Sequence, residues 1–475
     1  MTNKKASSAS RQIGEPNASE TVGPIVSDAA KTADAASRRN FIKGGGIMLA
    51  GGAIAGSQVS IARGANAFGS DTIKIGLVGC GGRGTGAAIQ ALNTSGGDVK
   101  LVAMADIFED QVQGAYRGIK GKHEDKVDCD DAKFVGLDAY KKVLETDADL
   151  VILATPPGFR PIMFEAAVNA GKHVFMEKPV ATDAPGIRRV LAANEIAKEK
   201  GLAVQVGLQR HHEFRYKECI ERLQDGAIGD FIMARAYWNG GGVWVRPRKP
   251  EQTELEYQMR NWYYFTWLCG DHIDEQHIHN LDVINWVMGG HPVECQGQGG
   301  REVRTGKDNG EIFDHHMVEY TYGDSEYGKG VKMLSQCRHI RNCWNSVSEH
   351  LHGTKGYCDI SAAKIYKPNG DLAWESDAEE VRQKGWQQEH HDLFSALRRG
   401  EVPNEGDYGA HSTMTAIMGR MATYGGKVVK WDEAINSDIL LADTDAMTSF
   451  DSEAPVKPDE DGYYPVAVPG ETKTV

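Results

Sequence analysis

The sequence predicts an α/β protein: a doubly wound parallel sheet, then an α+β domain with an open, mostly antiparallel sheet. Three observations predict it. Short apolar runs alternate with helical patterns between residues 73 and 207, the order that stacks helices on both faces of a parallel sheet. The first run leads straight into a glycine-rich turn, Gly79-Cys80-Gly81-Gly82-Arg83-Gly84. From Phe231 onward the period changes. Strand-like stretches at 231–238, 294–304, 316–322, 331–339 and 347–360 then follow one another across glycine turns.

The chain has 475 residues, 41% hydrophobic and 25% charged, which fits a globular protein of two or three domains. It carries 53 Lys and Arg against 66 Asp and Glu, a formal charge of -13. That balance excludes nucleic acid or an anionic membrane as the main partner, since both attract basic surfaces. No uninterrupted apolar run is long enough for a membrane-spanning helix. The eight cysteines are scattered without a CxxC pair, so neither a disulfide scaffold nor a zinc ribbon is expected.

Residues 1–67 read as a leader. The first 36 are rich in Ser, Ala, Thr and Asn and show no apolar period. Ser37-Arg38-Arg39-Asn40-Phe41-Ile42-Lys43 then precedes a mild Gly/Ala run, and Ala65-Asn66-Ala67 supplies a small-x-small cleavage pattern. This resembles a twin-arginine export signal, and the expectation is a folded, periplasmic or extracytoplasmic protein that meets the twin-arginine machinery.

The nucleotide reading spans 68–208. The strand Ile73–Val78 feeds the glycine turn and then a helix from Thr85. Gly79 suits the tight turn, Gly81 the close approach of backbone to a pyrophosphate, and Gly84 the packing of helix on strand. Asp106, 22 residues after Gly84, is spaced to bond a ribose 2′-hydroxyl, favouring NAD over NADP. Arg83 is a further candidate phosphate contact. Strands at 150–154 and 173–176 end in Thr155 and in Glu177-Lys178-Pro179, which puts Thr155, Glu177 and Lys178 at the ligand edge of the sheet.

These three motifs together resemble the Gfo/Idh/MocA family of sugar and inositol oxidoreductases, over nearly all of residues 71–437. Where many members carry T-P-N-x-x-H, this chain has Thr155-Pro156-Pro157-Gly158-Phe159-Arg160. The family's D-x-G-x-H-x-x-D pattern resembles Glu275-Gln276-His277-Ile278-His279-Asn280-Leu281-Asp282, with Glu275 in place of Asp and His277 where Gly is common. The resemblance implies that His279 is the catalytic imidazole and that the open sheet makes a homo-oligomer.

Physically, a Lys at a strand end can stabilise a developing alkoxide, and an imidazole can take the alcohol proton near neutral pH. Glu275, His279, Asp282 and Trp286 share one face if 272–286 is a single helix. The expected catalytic set is therefore Lys178, His279 and Glu275. His272, Glu275, His277 and His279 are four metal-ligand types in eight residues, but the spacing is not HExxH and no metal is expected.

Residues 209–437 are the expected substrate domain. Arg210, Trp238, Trp244, Arg260 and Trp262 are the candidate contacts to a carbohydrate ring, and the Gly/Pro-rich stretch 238–250 reads as a lining loop. The acidic tail 438–475 is expected to wrap the surface. Three functions follow: an NAD-dependent oxidoreductase acting on a sugar, polyol or glycoside; an NAD-dependent glycoside hydrolase working by transient oxidation and elimination; and a non-catalytic sugar-binding protein. Glu177-Lys178-Pro179 favours the first over the second, and Lys178 with His279 favours it over the third.

Overall fold

A computed structural model describes residues 72–377 and 384–475. The twin-arginine stretch and the rest of the leader lie outside the described residues. The first sheet grows from β1 (Ile73–Val78), whose buried Ile73, Ile75 and Leu77 fill one side of it. It continues through α1 (Gly82–Leu92), β2 (Val99–Asp106), α2 (Glu109–Lys120), β3 (Lys133–Val135) and α3 (Ala139–Leu144). Then come β4 (Leu150–Leu153), α4 (Arg160–Asn169), β5 (His173–Met176), α5 (Ala184–Glu199) and β6 (Val204–Val206). All pairings are parallel and the strand order is β3-β2-β1-β4-β5-β6. The order reverses between β1 and β4, and the strand ends there open the crevice where this architecture binds nucleotides.

The second part starts with a short 3-10 turn at Gln209–His212, α6 (Phe214–Gln224) and β7 (Phe231–Gly240). A helical run follows: α7 (Glu254–Arg260), α8 (Thr266–Cys269), α9 (His272–Glu275) and α10 (Ile278–Met288). Strands β8 (Pro292–Gly300), β9 (His315–Tyr322), β10 (Lys332–His339), β11 (Ser346–Gly353), β12 (Gly356–Asp359), β13 (Lys364–Tyr366) and β14 (Leu372–Glu375) complete most of a nine-stranded sheet. Helices α11 (Gly385–Arg398) and α12 (Gly406–Gly425), β15 (Val429–Lys430) and α13 (Trp431–Ile435) close the chain's regular structure. Only β7 and β10 pair in parallel in this sheet. Period-2 burial buries Met333, Ser335 and Cys337 of β10 and leaves Leu334 and Gln336 on the other face.

Three differences from the sequence reading have physical causes. The expected single helix over 272–286 is two: α9 ends at Glu275 and α10 begins at Ile278, after a left-handed Gly270 (φ 73°) and Asp271 (φ 69°) that start the segment on a tight turn. Residues 347–360 form a hairpin, β11 and β12, turned at Thr354-Lys355, which periodicity alone does not reveal. Helix α11 packs on the first sheet: Leu393, Phe394 and Leu397 share a core cluster with Ile73, Ala88 and Leu101. The C-terminal stretch thus completes the N-terminal domain. The tail does run over the surface, with Phe450 stacked on Phe108 at 5.4 Å and Tyr464 bonded to Glu254 at 2.5 Å.

Candidate active site

The C-terminal ends of β1, β2, β4 and β5 open into a cavity of about 1290 Å³. One ligand pocket is usually 300–1,000 Å³, so the space suits a dinucleotide with a second molecule. Its floor is the glycine turn. Gly79 has φ 94°, and a Cβ there would lie 2.6 Å from the Ala154 carbonyl carbon. A Cβ on Gly84 would lie 1.8 Å from the Gly79 carbonyl oxygen, so helix α1 can seat on β1 only without one. Nothing lies within 4 Å of the Cβ positions of Gly81 and Gly82. That open cradle, at the N-terminus of α1, fits a pyrophosphate. Asp106 lines the cavity at the end of β2; it accepts hydrogen bonds from the Cys80 N–H at 2.7 Å and the Phe108 N–H at 3.0 Å, while burial raises its pKa.

Arg83 lines the cavity but is not free for phosphate. Its Nε meets Glu177 Oε1 at 2.5 Å, Nη2 meets Glu389 Oε1 at 3.1 Å, and Nη1 donates to Gln90 at 2.7 Å. The charge is drawn sideways between two buried carboxylates, one of them supplied by α11. Nothing in the local sequence signals Glu389, 306 residues away.

Lys178, Glu275 and His279 line the same cavity, as does Thr155, whose hydroxyl donates to the Met163 sulfur at 3.4 Å. Lys178 Nζ donates to the Glu275 backbone oxygen and, at 3.1 Å, to its Oε1. The His279 ring stacks on Trp238 at 6.0 Å. Burial, then the charges of Lys178, Arg210 and Arg83, hold its pKa well below the usual value. The imidazole is neutral, and its surroundings make it a weaker base than a free histidine; the ammonium is fixed and can hold an oxygen that gains charge. The Lys178–Pro179 peptide is cis.

Arg160, the residue in the place of the family's His, is 3% exposed. Its guanidinium donates to the backbone oxygens of Thr155 and Pro179, tying the end of β4 to the turn after β5. Burial lowers its pKa to about 10, a value at which it remains charged near neutral pH.

The expected substrate residues divide. Trp244 and Trp262 line the cavity and meet edge to face at 5.9 Å. Arg260 also lines it, but at the ribose side: it pairs with Asp110 at 2.7 and 2.9 Å and lies 3.5 Å over the Phe108 ring. Arg210 does not reach the cavity. It is buried against Glu349, which also bonds Asn280 and Tyr216, because an isolated buried charge needs a partner. Trp238 stands behind His279 rather than in the cavity lining. The four candidate metal ligands do not converge. His277 bonds Ser335 at 2.7 Å, and His272 bonds Asp271 at 2.8 Å in a buried group with His316. Asp110, Gln209 and Met259 line the cavity without having been candidates, since none occupies a motif position, and Arg160, which the sequence shows only as a departure from a motif, lines it too.

Residues 73–208 match the model of the Gfo/Idh/MocA oxidoreductase family, NAD-binding Rossmann fold. The chain is 27% identical over 289 residues to an inositol 2-dehydrogenase of Rhizobium meliloti, covering 60% of this chain and 74% of that one. It is 29% identical over 225 residues to the inositol 2-dehydrogenase of Gluconacetobacter diazotrophicus, spanning 47% of this chain and 57% of the relative. A solved scyllo-inositol dehydrogenase from Lactobacillus casei, with bound NAD(H) and scyllo-inositol, shares the fold at TM-score 0.56 and 20% identity, covering 76% of this chain and 99% of that one. An aldose-aldose oxidoreductase from Caulobacter crescentus, complexed with glycerol, does so at TM-score 0.57 and 18% identity over the same shares.

Fold, cradle and relatives define an NAD-dependent oxidoreductase acting on CH–OH groups. Residues 73–208 carry the NAD-binding Rossmann fold of the Gfo/Idh/MocA oxidoreductase family.

Proposed function

We propose that the protein transfers hydride between a secondary alcohol of a sugar or polyol and a tightly held NAD, and that it works outside the cytoplasm. The observation that carries this is the meeting of Lys178, paired with Glu275, and a neutral His279 in the cavity that the Gly81 cradle opens. The bound nicotinamide supplies the hydride acceptor. Lys178 holds the substrate oxygen and stabilises the charge that develops there. His279 takes the hydroxyl proton, and Glu275 keeps the ammonium aimed. Arg160 fixes the turn that carries Lys178. Glu177, paired with Arg83, sits beside it.

Export is inferred from the twin-arginine-like motif alone. Outside the cytoplasm no NAD pool is replenished, so a dissociating cofactor would be lost after one turnover. The Arg260–Asp110 pair and the Phe108–Phe450 stack support retention, because both join later chain segments to the ribose edge of the cavity. The Asp106 carboxylate at that edge favours NAD over NADP. The outer sheet face, with Met317, Leu334 and Gln336, is the surface for homo-oligomer contact.

Protein purified without added nucleotide is expected to keep NAD through extensive dialysis and to reduce it on a polyol and sugar panel. An apo protein needing millimolar NAD overturns the retention; absence of any alcohol-dependent absorbance change at 340 nm overturns the activity.

A further inference from the structure

Six cationic side chains and four carboxylates line the cavity. Most are committed to one another. Arg83 meets Glu177, Lys178 meets Glu275, and Arg260 meets Asp110. Arg160 is spent on two backbone oxygens, and Asp106 accepts from two backbone N–H groups. Lys249 lies in the field of Asp110 at the ribose edge. Arg246 is left over: among the described residues it has no carboxylate within ion-pair distance.

This is not a loose surface charge. The Arg246 backbone N–H is anchored on Asn261 Oδ1 at 2.8 Å, and Asn261 is fully buried and donates to the Asp308 oxygen at 2.8 Å. Two residues on, Arg248 is secured by Glu254 and by Tyr464 at 2.9 Å. The backbone between is therefore held while the Arg246 side chain remains exposed. Its guanidinium lies 5.1 Å from the Trp244 ring centroid. Trp244 is itself 39% exposed and braced edge-on by Trp262 and, at 6.3 Å, by Tyr263. A braced indole face beside an unpaired guanidinium offers a sugar ring an apolar wall and offers a carboxylate a planar, two-pronged donor.

We infer that this site takes a sugar or polyol bearing a carboxylate, a uronate or aldonate, with Arg246 binding the acid and Trp244 stacking on the ring. The inference rests on the oxidoreductase reading of the cavity and adds the substrate class. Binding of an anion there gives Arg246 the kind of carboxylate partner that Arg83, Lys178 and Arg260 already have.

The test measures equilibrium binding of glucuronate, galacturonate, gluconate and the corresponding methyl esters to the full protein, alongside NAD reduction. The acids are expected to bind more tightly than their esters, and Arg246→Gln to weaken the acids about 10-fold or more, which removes the difference from the esters. Arg248→Gln, which breaks a pair within the same loop, serves as the control for loop disorder and should leave the acid-over-ester preference in place. Esters binding as tightly as acids, no carboxylated sugar binding at all, or Arg246→Gln releasing NAD without touching sugar affinity each overturns the inference. Acid-selective binding with no NAD reduction instead sinks the oxidoreductase reading and leaves the carboxylate site standing. Turnover of neutral polyols alone does the reverse.

Discussion

Lys178 and Arg160 have side chains of one charge and opposite duties. Lys178 reaches into the cavity, so Lys178→Ala should lower kcat by about 10²–10⁴-fold. Nucleotide retention should not change, because no contact in the glycine cradle involves that amine. Steady-state kinetics beside a retained-NAD absorbance spectrum checks both. Arg160 turns inward. Arg160→Met orphans the buried oxygens of Thr155 and Pro179, each worth about 1–3 kcal/mol if left unsatisfied. The expected outcome is a lower melting temperature together with reduced kcat, as the Lys178 turn loosens. Full activity with unchanged melting would show that the guanidinium does not brace the turn. The sequence shows Arg160 as a departure from the family pattern, but its carbonyl partners are backbone atoms, and residue identities do not report those.

At the scale of elements, the turn from β1 into α1 separates folding from binding by two glycines. Gly81 has φ -68° and open space where its side chain would be, so Gly81→Ala should fold normally and lose nucleotide, the methyl standing where phosphate would lie. Gly84→Ala pushes a methyl onto the Gly79 oxygen and should destabilise the domain itself. Melting curves and nucleotide content for the two variants distinguish these outcomes. The spacing of the turn was readable from the sequence because the phosphate and the helix packing each demand a particular glycine. The break between α9 and α10 was not: residues 274–277 are polar but all compatible with a helix, and the turn at Gln276 (φ -115°) and His277 is visible only in the fold. The pairing of Arg260 with Asp110 was not readable for a related reason: it depends on how α7 meets α2.

Across the whole molecule, the buried histidines decide the acid limit. Burial lowers His173 and His272 to about 4 and His277 to about 3. In the unfolded chain each protonates near 6.5, so the unfolded state binds more protons below that pH and stability falls from about pH 6.5 toward 4. His212 runs the other way. Burial opposes it, but bonds to Asp392 and Glu405 raise it to about 9, so its contribution is complete below 6.5 and lost as pH rises through 9. Melting temperature should therefore peak near neutral pH and decline on both sides, and a plateau extending to pH 4 would contradict this. A core cluster also joins α11 to the first sheet. Phe394 of α11 is fully buried among first-sheet residues, and Phe394→Ala should cost about 3–5 kcal/mol, lowering a single cooperative transition.

The sequence by itself determined the parallel sheet, the glycine cradle and the residues Lys178, Glu275 and His279, because apolar period, turn chemistry and motif spacing are local and each has a local physical cause. Only the tertiary structure decided which cations are already paired, that Arg210 and Trp238 stand outside the cavity, and that α11 returns to close the first domain. Those outcomes depend on groups tens to hundreds of residues apart, brought together by burial that no local pattern encodes.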